Sequence, residues 1–203
     1  TRSIWVTGVQ TCALPIFALL VAVAAGSLEA QDQASERKGF WLTVGGGGGS
    51  NRVSCQECTE IERFSGGMGW IRAGGTVNSS TLIGGEAFFW QRSESGLDSY
   101  VRGVQGIVQW YPFRKTGFFF EGGLGLARIR TNFVTNGQTV NASETGISVT
   151  LGAGYDIRIT RRLSLTPTIA SIAVPTATID TPAGPLDNVI GTIFQFGIGI
   201  TLR

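Results

Sequence analysis

ETGISVTLGAGYDIRI, residues 144–159, is the stretch from which the rest of this chain can be read. Its side chains sort into two sets without exception. Thr145, Ile147, Val149, Leu151, Ala153, Tyr155, Ile157 and Ile159 share one parity, and Gly146, Ser148, Thr150, Gly152, Gly154, Asp156 and Arg158 share the other. A period of two is the signature of a β-strand. The first set is bulky and apolar, while the second is small or polar and carries a charge pair at one end. Such a strand separates an apolar exterior from a tight, partly polar interior, as a transmembrane barrel strand does. A soluble sandwich or barrel would turn its large residues inward, so the deciding question is which set faces in.

Composition narrows the field. The chain has 203 residues, of which 15% are charged and 42% hydrophobic, and it holds 30 glycines. That is one β domain rather than an ordinary helical one. A formal charge of +2, with no run of like charges, gives no footprint for nucleic acid. Histidine is absent, which removes the commonest general base, the Ser-His-Asp arrangement and the commonest zinc ligand together. No catalytic, cofactor or metal site is expected.

The beginning of the chain is of a different kind. Under one codon choice, VTGVQTCALPI at residues 6–16 matches a widely used sequencing-library adapter, so residues 1–16 are read as an assembly artefact. FALLVAVAA, residues 17–25, is an apolar run too short to span a bilayer as a helix. With the small and polar residues that follow, it reads as the remnant of a secretory signal, residues 17–30, cleaved after Ala30 or, alternatively, Gly26. Residues 31–38 form a polar lead-in, and residues 39–203 the domain.

Within that domain, alternating runs fall at residues 39–50, 63–73, 81–93, 99–111, 117–130, 144–159, 163–174 and 188–203. Short connections (74–79, 112–116, 160–162) alternate with a second set (51–62, 94–98, 131–143, 175–186), all of which but 94–98 are long. Eight strands joined in this way predict an all-β, eight-stranded antiparallel up-and-down transmembrane barrel, with the long connections outside the cell. Pro167 is a blemish in its strand, since proline removes a ladder donor.

The chain resembles the small eight-stranded outer-membrane barrels, and is similar to the transmembrane domain of outer-membrane protein A and to the opacity-type surface proteins. The resemblance spans residues 39–203. It rests on the outward apolar parity, on G-x-G motifs such as Gly123-Leu124-Gly125 and Gly152-Ala153-Gly154, and on the final strand. It implies a bacterial outer-membrane location, outer-membrane lipid as a partner and a monomer.

Several groups are candidates for function. Glu86, Gln105, Gln109, Glu121, Ser148, Thr150, Asp156, Arg158 and Gln195 share the inward parity. A charge facing lipid near the midplane is costly, so Glu86 should point inward and send Phe88 and Trp90 with it. Glu121 and Arg158, near the short-turn end, are expected to pair with each other. Whether these residues form a closed polar plug or only fill and hydrate the interior is open. Arg102, Arg128 and Arg130 share the outward parity near the long-loop ends, where they either bind lipid phosphates or mark the edge of the apolar band. Trp41, Trp70, Trp90, Trp110, Tyr111 and residues 118–120 could supply interfacial girdles, although Trp41 and Trp90 could instead face the lumen. Cys55 and Cys58 suggest a small disulfide-closed turn in an exported loop, because zinc would need further ligands that the mature chain lacks.

The expected function is non-enzymatic: a structural or surface-interaction role through the extracellular loops, with an extracellular ligand or surface partner. Two alternatives stand beside it, a narrow pore or small-ligand conduit and a soluble lipocalin-like ligand-binding barrel. The second requires inverted parity.

Overall fold

The computed structural model describes residues 37–54, 63–94, 97–113, 115–135, 138–181 and 184–203. The expected adapter segment, signal remnant and Cys55–Cys58 turn, and all of the lead-in before Arg37, lie outside the described residues. Nine strand segments follow in order: β1 (Phe40–Ser54), β2 (Arg63–Asn78), β3 (Thr81–Glu94), β4 (Leu97–Trp110), β5 (Phe118–Thr135), β6 (Gln138–Tyr155), β7 (Ile157–Arg158), β8 (Leu163–Thr181) and β9 (Gly184–Leu202). β1 to β6 pair antiparallel in succession, β7 and β9 each pair with β8, β1 pairs with β9, and β6 pairs with β8, so the sheet closes on itself. Since β6 and β7 are one stave interrupted at Asp156, the wall is a closed eight-stranded barrel.

The interruption has a local cause. The ladder runs to Gly154↔Thr168 and resumes at Ile157↔Leu165 in the same register, leaving a gap opposite Pro167, which has no N–H to donate. The Asp156 amide donates instead to the Gly117 carbonyl at 2.9 Å. Its carboxylate turns into the lumen.

Following cross-strand partners once around the wall, from Leu42 through Ala73, Gly85, Gly106, Leu124, Val149, Ala173 and Thr192, returns to β1 at Arg52, ten residues further on. Eight strands with that stagger tilt by roughly 40° from the barrel axis and enclose a space that side chains can just fill. The bulky parity faces out. Val149, Leu151, Phe194 and Ile198 are 39%, 69%, 51% and 50% exposed, with Val44, Ile71, Leu124 and Ile147 alongside them. A soluble barrel would bury these groups, so the lipocalin-like alternative is removed.

Several strands continue further than the alternating runs suggested. β5 and β6 pair out to Thr135↔Gln138, and β8 and β9 to Thr181↔Gly184, so much of what read as long loops is extended hairpin. In the sequence, Asn and Thr fall at both odd and even positions there, which hides a period of two.

Inside, large rings lie over glycines on neighbouring staves. A Cβ built on Gly45 would stand 2.4 Å from the Trp70 ring, one on Gly103 2.4 Å from Phe88, and one on Gly154 2.4 Å from Phe119. The glycines of β1 and its neighbours therefore make space for aromatic rings. Gly103→Val is expected to destabilise the barrel by about 1–3 kcal/mol through overpacking. Gly122→Val should not, because its Cβ meets nothing within 4 Å on the outward face. Urea unfolding in detergent micelles checks both.

Candidate functional site

The lumen is stratified along the barrel axis. At the short-turn end, Trp41, Leu82, Ile107, Tyr111 and Phe119 form one buried apolar cluster. Polar groups lock it in place. Tyr111 donates its hydroxyl to Asp156 Oδ2 at 2.8 Å, Thr166 donates to Asp156 Oδ1 at 2.9 Å, and Thr166 and Thr43 each meet the Thr201 hydroxyl at 2.8 Å. Arg203 forms an ion pair with Asp156 and donates to the Tyr111 hydroxyl. Arg37 stacks its guanidinium 3.7 Å from the centre of the Tyr111 ring and donates to the Thr116 carbonyl at 2.6 Å. Burial draws the Arg37 pKa below its ordinary value. For Arg203 burial acts in the same direction, but the Asp156 carboxylate and the Tyr111 hydroxyl together outweigh it and the pKa rises.

The middle layer is ionic. Arg72, Glu86, Gln105, Gln109, Glu121 and Thr150 are all buried. The Arg72 guanidinium pairs with Glu86 through Nε and with Glu121 through Nη2, the latter at 2.9 Å. Gln105 donates to Glu86 at 2.6 Å, Gln109 to Glu121 at 2.9 Å, and Thr150 to the Gln105 carbonyl oxygen at 2.9 Å. One cation therefore holds two carboxylates, and each carboxylate is further stabilised by an amide donor. Gln195 and Ser148 are also buried in the lumen wall.

Towards the long-hairpin end the filling turns apolar. Met68, Trp70, Phe88, Trp90, Val101, Ala127, Ile172, Val174 and Ile193 pack together across the lumen.

The structure gives Glu121 to Arg72 rather than to Arg158, the partner expected from the sequence. Arg158 lies at the short-turn rim opposite Ser164 and is half-buried. Arg72 is hidden in the sequence, because in residues 63–73 its charge sits on the same parity as Met68 and Trp70. The sequence carried one usable signal, namely that a lone arginine between apolar residues must face the lumen if the wall faces lipid. The girdle expectation also changes: Trp70, Tyr111 and Phe119 join Trp41 and Trp90 inside. Trp110 and Phe120 remain outside, stacked with centroids 6.0 Å apart, and Phe118 meets Phe120 edge-on at 4.9 Å.

On the outer wall Arg102, Arg128 and Arg130 are exposed. Arg102 stands eight residues from Trp110 on β4, and Arg128 eight from Phe120 on β5, or about 20 Å along the axis at this tilt. Exposed apolar side chains fill the interval, including Val104, Val108, Leu124 and Leu126. That matches the lipid-facing band of an outer-membrane strand wall.

This is the fold of the small eight-stranded outer-membrane barrels. Neisserial surface protein A has it, with a TM-score of 0.57 at 13% identity, covering 81% of this chain and 96% of that one. So does Ail, the attachment invasion locus protein of Yersinia pestis, with a TM-score of 0.58 at 16% identity, covering 81% and 99%. Ail in complex with the heparin analogue sucrose octasulfate aligns with a TM-score of 0.55 at 16% identity, over the same shares of the two chains. No family model matches the sequence, nor does any curated protein. The barrel fold and the apolar band together place the protein in the bacterial outer membrane.

Arg72→Gln leaves two buried carboxylates without their cation and is expected to cost about 3–5 kcal/mol in unfolding experiments in lipid vesicles. Adding Glu86→Gln and Glu121→Gln to that variant should recover most of the loss. A triple variant no more stable than Arg72→Gln alone would show that the ion cluster does not set the effect.

Proposed function

We propose that the protein is a non-enzymatic, monomeric outer-membrane barrel whose lumen is closed and which works through its outer surface, in a structural or surface-interaction role with an extracellular partner. The observation that carries this reading is the filled lumen. An aromatic cluster, an ion cluster and a second apolar cluster succeed one another along the axis, so the interior serves cohesion and the exposed chemistry lies on the wall and hairpins. The β5–β6 hairpin extends seven residues past Arg128 to Thr135, beyond the apolar band, where a partner outside the cell can reach it.

A second reading, a conduit for a small apolar molecule, is favoured by a different feature. Apart from the two-residue β7–β8 pairing, the described ladder between β6 and β8 runs from Gly154↔Thr168 only as far as Val149↔Ala173, where it stops beside the apolar end of the lumen.

Reconstitution in planar lipid separates the two. The closed barrel is expected to give no conductance above that of bare lipid, and no faster entry of an apolar fluorescent dye into vesicles that carry it. Discrete conductance steps, or accelerated dye entry, would transfer support to the conduit.

A further inference from the structure

Arg102 and Arg128 are directly opposite each other on β4 and β5, both on the outward face and both exposed. Two like charges in that relation repel and destabilise a sheet unless an anion lies between them. Arg130, one outward position further along β5, adds a third guanidinium, and Tyr100 stands opposite it. The outward positions directly across on the flanking strands are Phe89 and Gln91 on β3 and Ser143 and Thr145 on β6, none of them a carboxylate. Arg128 spends its Nε on the Ser143 hydroxyl at 2.7 Å, which holds the guanidinium near the wall.

These arginines border two recesses that share part of their lining. One, of ≈ 400 Å³, is lined by Tyr100, Arg102, Arg128 and Arg130. The other, of ≈ 710 Å³, shares Tyr100, Arg102 and Arg128 and continues between Phe89, Val104 and Leu126. Gly103 and Ala127, which present no bulk outward, leave the trough between those side chains open. A cationic head site thus leads into an apolar channel that runs down the lipid-facing wall, at the long-hairpin edge of the band.

We infer that this is a binding site for one phosphorylated, acylated glycolipid of the outer leaflet. A phosphate sits between Arg102 and Arg128 with Arg130 beside it, and an acyl chain lies against Phe89, Val104 and Leu126. Guanidinium forks match phosphate oxygens, and a phosphate monoester brings more negative charge to three arginines than a single phosphodiester does. Arg52 opposite Arg63 is a second like-charged pair on the rim and serves as the comparison for this site. The inference depends on the barrel standing in a bilayer and is independent of whether the lumen conducts.

Native mass spectrometry of the barrel refolded in a neutral maltoside detergent, titrated with a diphosphorylated, acylated diglucosamine lipid, tests the site. One lipid should bind. Arg102→Gln with Arg128→Gln should weaken it about tenfold or more, and removing the phosphates from the lipid should weaken it comparably. Leu126→Ala should weaken it by a smaller factor, while Arg52→Gln with Arg63→Gln should leave it within about twofold. Heat-modifiable migration on gels reports that each variant is folded. In lipid-free detergent the Arg102/Arg128 double variant should be no less stable than the parent, because a repulsive pair has been removed. The proposal is overturned if that double variant binds as the parent does, or if the Arg52/Arg63 variant loses as much. It is also overturned if phosphatidylglycerol binds as tightly, which would make any anionic lipid sufficient, or if sucrose octasulfate binds and the glycolipid does not, which would make the rim a sulfated-glycan site.

Discussion

An eight-stranded wall with a stagger of ten encloses a space that can be neither empty nor wide, and the rest of this molecule follows from that constraint. Glycine on one stave is matched by an aromatic ring on another, as with Gly45 beneath Trp70 and Gly103 beneath Phe88. The abundance of glycine that makes the chain unlike an ordinary globular domain is therefore a packing device. It lets a narrow interior hold rings without pushing the wall outward, and it leaves the outward positions free to carry the residues that meet lipid.

The ionic layer depends on the same narrowness. Arg72, Glu86 and Glu121 are sealed between an aromatic floor and an apolar upper lumen, far from bulk water. In such a place a charge persists only with close partners, and the amide groups of Gln105 and Gln109 complete the coordination that Arg72 begins. At the short-turn end the pattern is repeated around Asp156, whose inward parity turns its carboxylate toward Tyr111, Thr166 and Arg203, while Pro167 interrupts the ladder beside it. A residue that read as a flaw in a strand thus lies at the point where a polar anchor enters the lumen.

With the interior committed to cohesion, the outer wall carries the chemistry that remains unpartnered. Its lower edge is marked by Trp110, Phe118 and Phe120, and its upper edge by arginines. Bilayer thickness sets the distance between these edges, so their separation by eight residues on both β4 and β5 reflects one physical length.

The alternation in residues 144–159 was enough to establish strands, to assign an apolar and a polar face, and to imply a lipid-facing wall, because side-chain parity is a property of the backbone itself. Burial of Glu86, Gln105 and Glu121 was legible for the same reason. What the sequence did not decide was who meets whom across the lumen. Parity assigns a face but not a height, and height depends on the tilt and stagger that exist only once the sheet has closed. For that reason Glu121 meets Arg72 instead of Arg158, Trp70 and Tyr111 are inside rather than in a girdle, and Arg102 stands opposite Arg128 at the rim.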